Sequence, residues 1–257
     1  MGKGLILFDI DGTLLHAPGA GRTAFAQAFK EAFGWNQTVE HINFYGATDL
    51  NVFRQICRER NVEPTADMEK TFFNRLAPAL ETRLTVCPPV LFPNVENILK
   101  MLHDPPRPSL CSGHPSRGGE FLKSPSREGC PKGGVGCDWK LGIVTGNIEI
   151  NAWAKLRHAG IDRYFSFGGF GCAYADRAEI ARHALTASGT ENPGKVFLIG
   201  DTPSDINAAK ANGFISIAVA TGGFDFQTLE KAGADFVFQD LTDMERVLST
   251  LESGMVE

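Results

Sequence analysis

Four apolar residues followed by two carboxylates stand near the start of the chain, in the stretch Leu5-Ile6-Leu7-Phe8-Asp9-Ile10-Asp11-Gly12-Thr13. The apolar run predicts a buried strand, and the two acids come where that strand should end. Residues two apart point to the same side of a strand, so the Asp9 and Asp11 carboxylates would repel each other without a cation or a shared proton. Gly12 permits a sharp exit from the strand. An Asp-Gly turn with an accidental second acid is the alternative, and the downstream sequence has to decide between them.

Length and composition indicate a globular protein. A chain of 257 residues is long enough for one large domain or for a core with an inserted smaller one. The net charge of -5 argues against a nucleic-acid partner, and no run approaches the length of a membrane span. A charged residue arrives by Asp9, which argues against a signal region, and the six cysteines do not suggest a disulfide scaffold. We therefore expect a cytoplasmic protein with reduced thiols, and the sequence does not indicate its oligomeric state.

Residues 16–86 are predicted to be all-helical. A stripe of Phe and Ala at i, i+4 spacing predicts a helix over 22–33, and apolar periodicity predicts two more over about 50–60 and 66–84. Pro78 is expected to kink the third helix.

From residue 87 onward, short apolar runs alternate with helical stretches. This alternation is typical of a parallel sheet with helices on both faces. The predicted strands of this region cover 141–144, 165–167, 196–199, 215–219 and 236–238. Because the first strand has the same apolar character, we predict an α/β fold with a doubly wound, Rossmann-like parallel sheet. Residues 1–15 and 87–257 would form the core domain, and the helical residues 16–86 would be an insertion in it.

Residues 104–138 interrupt the alternation. Gly, Pro and Ser make up 18 of these 35 residues, and such a composition cannot bury enough surface to offset its ordering entropy. We predict a disordered insertion. One alternative is a zinc site, although the spacing between its second pair of ligands is longer than usual; the candidate ligands are Cys111, His114, Cys130 and Cys137. The other is non-coding sequence included in the gene model.

Polar groups stand at three further strand ends. Thr145-Gly146-Asn147 offers a hydroxyl and helix N-terminal amides to an anion, and Arg177 follows a glycine-rich turn. Asp201 comes at the tip of the strand over 196–199, and Asp205 falls in the first turn of the next helix. Capping or solvation explains each group alone. Ligands of parallel sheets bind at the carboxyl ends of the strands, however, so we expect one shared site.

The combined residue types indicate phosphoryl chemistry. Carboxylates with no nitrogen or sulfur ligands suit a hard cation such as Mg²⁺, and anion donors beside such a cation imply a phosphoryl group. One of the first two acids would stay ionised and attack phosphorus, while the other would carry a proton.

The order Asp-x-Asp-Gly-Thr, Thr-Gly-Asn, a basic residue and Gly-Asp-x-x-x-Asp resembles the haloacid dehalogenase (HAD) superfamily. The resemblance is greatest to the phosphatases similar to phosphoglycolate phosphatase and beta-phosphoglucomutase, and it covers the chain apart from 104–138. It implies an Mg²⁺-dependent phosphomonoester hydrolase that acts on a small phosphorylated metabolite. It also implies that the insertion 16–86 is a helical cap of the C1 type.

The resemblance assigns a role to each candidate residue. Asp9 would be the nucleophile that becomes an aspartyl phosphate, Asp11 the general acid and base, and Thr145 a ligand of a phosphoryl oxygen. Arg177 would stand where the family usually has a lysine. Mg²⁺ would be bound by Asp9, by the Asp11 backbone carbonyl, by Asp201 and, indirectly, by Asp205. Phosphate or substrate contacts would come from Gly12, Thr13, Gly146 and Asn147 and, in the cap, from Thr48 and Asp49.

Three alternatives concern function. A carbon–halogen hydrolase of the family lacks the second acid, so Asp11 favours a phosphatase. A sugar-phosphate mutase shares the core and differs in the cap, and a non-catalytic binding protein would retain the fold only. In the cap, Arg54, Arg58 and Arg75 are candidate contacts for an anionic substrate, or solvated helix residues.

Overall fold

The computed structural model describes residues 4–103, 139–172 and 174–253. The predicted insertion at 104–138 and its four candidate zinc ligands lie outside these residues. Within the described ranges, none of the helices combines the length and the apolar character that crossing a membrane would need.

Six parallel strands form the main sheet, which confirms the predicted α/β fold. The first strand lies at its centre, where Phe8 pairs with Ile143 on one side and with Ile199 on the other. The strands within the described residues are β1 (Leu5–Phe8), β2 (Leu15–His16), β3 (Val90–Leu91), β4 (Lys140–Thr145), β5 (Gly168–Phe170), β6 (Val196–Gly200), β7 (Ile215–Val219) and β8 (Phe236–Phe238). The order across the main sheet is β5-β4-β1-β6-β7-β8.

Helices cover both faces of the sheet. Ile6 and Phe8 of β1 belong to the apolar cluster on one face, while Leu5 and Leu7 belong to the cluster on the other face. This burial on both sides explains why β1 is a continuous apolar run without alternation. The helices are α1 (Ala20–Phe33), α2 (Asp49–Glu59), α3 (Ala66–Val86), α4 (Val95–His103), α5 (Glu149–His158), α6 (Arg177–Ala187), α7 (Pro203–Asn212), α8 (Phe226–Lys231) and α9 (Met244–Ser253). Helices α4, α5 and α9 pack on the face of Ile6 and Phe8, and α6 and α7 pack on the opposite face.

Helices α1 to α3 share an aromatic core of their own. The Phe29 ring lies 4.3 Å from that of Phe72 and 5.8 Å from that of Phe53, measured between ring centroids. The same apolar cluster includes Ile148 and Ala154 from the region of α5, so the helical segment packs directly on that helix. The division into core and cap domains stays a prediction.

A short antiparallel ribbon joins the helical segment to the sheet. Leu15 pairs with Leu91 and His16 pairs with Val90. The segment that leads from the sheet into the helical segment therefore lies beside the segment that leads back to the sheet. The prediction that residues 16–86 contain no strand is therefore wrong at His16.

The fifth strand lies three residues beyond its predicted position. The apolar run at 165–167 predicts a strand there, whereas the structure has a 3₁₀ turn at Asp162–Tyr164 and a strand at Gly168–Phe170. Glycine is depleted in strands, so the run Gly168-Gly169 predicts part of the glycine-rich turn before Arg177 and not a strand. Here it allows close packing, because a Cβ on Gly169 would lie 2.1 Å from the Ile180 carbonyl oxygen of α6.

Candidate active site

Asp9 directly follows β1 and is buried against an arginine. Its Oδ1 lies 2.6 Å from Nη2 of Arg177, and both side chains are less than a tenth exposed. Burial raises the pKa of Asp9 to about 7, despite the opposing influence of the Arg177 guanidinium. The structure therefore places the predicted nucleophile at the strand tip expected from the sequence.

Asp201 directly follows β6, the neighbour of β1, and two glycines make room for it. A Cβ on Gly222 would lie 1.7 Å from its Oδ2, and one on Gly12, whose φ is +91°, would lie 2.4 Å away. Thr13 Oγ1 donates a hydrogen bond of 3.2 Å to Oδ1, while Oδ2 is buried with no hydrogen-bond partner among the described residues. Burial, together with repulsion from Asp9 and Asp205, raises the pKa of Asp201 to about 9.

Arg177 links the first strand to the start of α7. Nε and Nη2 donate to Asp205 Oδ1 over 2.9 Å and 2.6 Å, in addition to the contact of Nη2 with Asp9. Burial acts to lower the pKa of Arg177, but the Asp205 and Asp9 carboxylates outweigh it and hold the pKa above its usual value. Asp205 also forms a capping box with Thr202 at the N-terminus of α7.

The three buried carboxylates form a site that suits a cation. Oxygen atoms of Asp9, Asp201 and Asp205 lie within 4.8 Å of one another, with Arg177 as the cation that pairs with two of them. The unpaired Oδ2 of Asp201 is a buried acceptor that a metal ion would satisfy. A set of carboxylate oxygens is the ligand type that Mg²⁺ prefers. The residues present therefore fit the divalent metal that HAD phosphatases generally use.

Asp11 points to a buried lysine that sequence reasoning missed. Nζ of Lys155 lies 2.6 Å from Asp11 Oδ2 and donates over 2.8 Å to Asn147 Oδ1. Asn147 Nδ2 in turn lies 2.7 Å both from Asp11 Oδ2 and from Thr145 Oγ1. Desolvation acts to raise the pKa of Asp11, but the Lys155 charge and these hydrogen bonds bring it below its usual value.

The two cap residues predicted to face the substrate also have structural contacts, and those of Asp49 join the helical segment to the region after β4. Asp49 Oδ2 accepts a hydrogen bond of 2.8 Å from the Ile148 amide, and burial raises the pKa of Asp49 to about 6. Thr48 caps α2 by accepting from the Asn51 amide. Gly146 lies against this loop so closely that a Cβ there would be 2.1 Å from the Ala47 carbonyl oxygen.

A cleft of about 320 Å³ runs between the strand ends and the helical segment. Ten of the sequence-predicted site residues line it, namely Asp9, Asp11, Gly12, Thr48, Asp49, Thr145, Gly146, Asn147, Arg177 and Asp201. Thr13 and Asp205 are buried behind the lining, where they contact Asp201 and Arg177 respectively. The structure therefore brings all twelve of them to one place. It places Arg54, Arg58 and Arg75 outside the lining, and Arg54 pairs with Glu69 over 2.8 Å.

Sequence reasoning missed several residues that line the cleft. Lys155 lies on the buried face of α5, four residues after Asn151 and three after Ala152. This helical spacing from two inward-facing residues was the signal in the sequence that could have indicated a buried lysine. Gly222 and Arg22 stood in stretches with no motif, and only the folded chain brings them to the cleft.

Comparisons with known proteins agree with this geometry. A family model described as HAD-hydrolase-like matches residues 177–244, the segment that carries Arg177, Asp201 and Asp205. The chain is 25% identical to the phosphoglycolate phosphatase of Synechococcus elongatus over 96% of this chain and 97% of that protein.

Solved structures share the fold. A predicted phosphoglycolate phosphatase from Haemophilus somnus has a TM-score of 0.63 at 19% identity, over 96% of this chain and 98% of that one. CbbY from Rhodobacter sphaeroides, solved in complex with phosphate, has a TM-score of 0.67 at 18% identity, over 94% and 96%. Together these comparisons support a phosphatase of the haloacid dehalogenase-like type that resembles phosphoglycolate phosphatase.

Proposed function

We propose that the protein is a Mg²⁺-dependent phosphomonoester hydrolase that acts on a small phosphorylated metabolite through an aspartyl-phosphate intermediate. The observation that carries this proposal is the cluster of Asp9, Asp201 and Asp205 within 4.8 Å, at one end of a cleft that also contains Thr145. A cleft of about 320 Å³ suits a small substrate.

In the first half-reaction, an oxygen of the Asp9 carboxylate attacks phosphorus and the bond from phosphorus to the leaving oxygen breaks. Arg177 holds the attacking carboxylate in place by its contact of 2.6 Å with Oδ1. The hydroxyl of Thr145 would bind a phosphoryl oxygen, with Gly12, Gly146 and Asn147 around it. Asp11 would give its proton to the leaving oxygen, which departs as an alcohol.

In the second half-reaction, water attacks the phosphorus of the aspartyl phosphate and Asp11 takes the proton from that water. The bond from phosphorus to the Asp9 oxygen breaks, so that inorganic phosphate leaves and the Asp9 carboxylate is restored. The arrangement in the structure suits this half, because Lys155 and Asn147 favour ionised Asp11. The first half needs a protonated Asp11, and the negative phosphoryl oxygens of an arriving substrate raise the pKa of a neighbouring carboxyl group. Mg²⁺ held by Asp9, Asp201 and the Asp11 backbone carbonyl, with Asp205 in support, would supply neutralisation of phosphoryl charge.

Hydrolysis of p-nitrophenyl phosphate tests the proposal. The wild-type protein is expected to release phosphate in Mg²⁺ and to stop in excess chelator. Asp9→Asn should lower the rate at least about a thousandfold, because an amide oxygen is a poor nucleophile for phosphorus. Asp225→Asn is the matched control, since Asp225 caps α8 and does not line the cleft. Unchanged activity of Asp9→Asn would contradict the nucleophile assignment.

A panel of phosphomonoesters tests the substrate class. Phosphoglycolate belongs in it because the protein from Synechococcus elongatus is named for that substrate. A hexose 1-phosphate separates hydrolysis from phosphoryl transfer within the sugar. Release of inorganic phosphate supports the phosphatase, whereas formation of the 6-phosphate would support the mutase alternative.

A further inference from the structure

Among the residues that the structure describes, three arginine or lysine side chains line the cleft, and two of them are neutralised by carboxylates. Lys155 pairs with Asp11 over 2.6 Å, and Arg177 pairs with Asp9 and Asp205, each over 2.6 Å. The third is Arg22, in the first turns of α1. Across residues 4–103, 139–172 and 174–253, no carboxylate lies within ion-pair distance of it.

Contacts on one edge and one face hold the Arg22 guanidinium in place. Nη1 donates to the backbone carbonyl of Val39 over 2.6 Å and to that of Glu40 over 3.3 Å. The central carbon of the guanidinium lies 4.6 Å from the centroid of the Phe44 ring. An arginine that is already held loses little side-chain entropy when it binds a ligand.

The other edge of the guanidinium is available. Nε and Nη2 carry three N–H groups, and none of the described residues accepts a hydrogen bond from them. These two nitrogens form the planar fork that matches two oxygens of a carboxylate or a phosphate. Because Arg22 lines the cleft, that fork can reach a ligand inside it.

The surroundings of Arg22 strengthen its attraction for an anion. Phe44, which the guanidinium contacts, lines the cleft together with Phe25 and Val52, and the Phe25 and Phe44 rings pack edge to face with centroids 5.4 Å apart. Apolar walls lower the local dielectric and increase the energy of an ion pair. A cation held in such a place, with no carboxylate partner in the described part of the chain, indicates that the ligand brings the negative charge.

We infer that Arg22 binds a second anionic group of the substrate, and that the enzyme prefers phosphomonoesters which carry a carboxylate or a second phosphate. This inference rests on the proposed function, because the phosphate that is cleaved must lie at Asp9. Two anions on one small substrate would then bridge the cleft, one at the strand ends and the other at Arg22.

Two matched pairs of substrates test the inference. The first pair is 2-phosphoglycolate and ethyl phosphate, which differ by a carboxylate in place of a methyl group. The second is ethylene glycol bisphosphate and 2-hydroxyethyl phosphate, which differ by one phosphate. The wild-type kcat/KM is expected to be about 10- to 100-fold higher for the charged member of at least one pair, as hydrogen bonds to charged groups predict. A preference in the first pair identifies the second anion as a carboxylate, and a preference in the second pair identifies it as a phosphate.

Arg22→Met should remove the preference, mainly through a higher KM for the charged substrate, and should leave the uncharged member nearly unchanged. Arg22→Lys should retain part of it, since it keeps the charge and loses the fork. It also serves as the second variant if Arg22→Met does not fold. Arg60→Met is the control, because Arg60 lies 4.8 Å from the Trp35 ring and donates to Gln37 in the same helical segment, yet does not line the cleft.

The outcomes separate the inference from the function on which it rests. Equal losses on charged and uncharged substrates in Arg22→Met would give Arg22 a structural role only and overturn the inference. Hydrolysis of both members of each pair at equal kcat/KM by the wild-type protein would overturn it too, while supporting the phosphatase. If the wild-type protein hydrolyses none of these four substrates and does not hydrolyse p-nitrophenyl phosphate either, both the inference and the proposed function are overturned.

Discussion

Lys155 reaches from α5 to Asp11, with its Nζ 2.6 Å from Oδ2 of that carboxylate. Asn147 contacts both partners and also Thr145, so hydrogen bonds connect the proposed proton carrier to the proposed phosphoryl ligand. The Lys155 side chain is 7% exposed, which is unusual for a lysine unless it is paired.

Replacing Lys155 tests whether it positions Asp11. Lys155→Met keeps the alkyl stem and removes the donor, so we expect kcat for an alkyl phosphate to fall about 10- to 100-fold. The rate with p-nitrophenyl phosphate should fall less, because its leaving group needs little help from a proton donor. Lys140→Met is the control, since Lys140 donates to the Ser188 carbonyl and does not line the cleft. An unchanged kcat with the alkyl phosphate would rule out the positioning role.

Removing Arg177 should destabilise the protein in the absence of metal. Arg177→Leu leaves the Asp9 and Asp205 carboxylates buried without their shared cation, and breaking such a pair costs about 3–5 kcal/mol of unfolding free energy. Urea unfolding in chelator at pH 8 measures the loss, and Mg²⁺ should recover part of it. Arg177→Lys should lose less. An Arg177→Leu protein as stable as wild type would show that the ion pair is not needed for folding.

The metal-free protein should lose stability as the pH rises. The pKa of Asp9 is raised from 3.8 to about 7 and that of Asp201 from 3.8 to about 9, so between these values the folded state binds more protons than the unfolded state. The unfolding free energy then falls as pH increases from about 4 to about 9. Thermal unfolding in chelator at pH 5, 7 and 9 measures this slope. In Asp201→Asn the unfolding free energy should fall less steeply with pH. An unchanged dependence on pH in that variant would show that the raised pKa of Asp201 is not its cause.

Mg²⁺ should stabilise the protein more at high pH than at low pH, because metal binding requires ionised carboxylates. Repeating the three unfolding curves with Mg²⁺ gives the difference directly. A stabilisation that is the same at pH 5 and pH 9 would argue against Asp9 and Asp201 as ligands.

A single added methyl group should disturb Asp201. Gly222→Ala would place a Cβ 1.7 Å from Oδ2, so the carboxylate must move, and Mg²⁺ affinity and kcat should both fall about tenfold or more. Gly21→Ala is the matched control, since its Cβ would meet no atom within 4 Å. Titration of Mg²⁺ by calorimetry and the hydrolysis assay provide the two measurements. Normal Mg²⁺ affinity in Gly222→Ala would place the metal elsewhere.

Much of the fold follows from local signals in the sequence. Parallel strands buried on both faces leave unbroken apolar runs, which is why β1, β4, β6 and β7 were located to within a residue or two. The β5 strand was misplaced because glycines that allow α6 to pack closely give no apolar signal. The domain division and the cytoplasmic location remain predictions from the sequence.

Some residues of the candidate site can likewise be predicted from the sequence, and others cannot. Acids and hydroxyls at strand tips could be found because the ends of parallel strands converge, and this applies to Asp9, Thr145 and Asp201. Lys155 and Arg22 lie inside helices, where a basic residue is ordinarily solvated, and their approach to the cleft depends on how those helices pack. The specificity of the enzyme is therefore the part that the sequence alone reveals least.

The central position of β1 has a consequence for how the chain folds during synthesis. Leu5 pairs with Lys140 and with Val196, so β1 is made long before either partner strand exists. The four apolar residues of β1 therefore have no partner strand to pair with until most of the chain has been translated. The helical segment, whose contacts are local by comparison, can form in the meantime. We therefore expect the nascent chain to gain a packed helical core first, and the ability to bind metal only once the residues through Asp205 have been translated and folded.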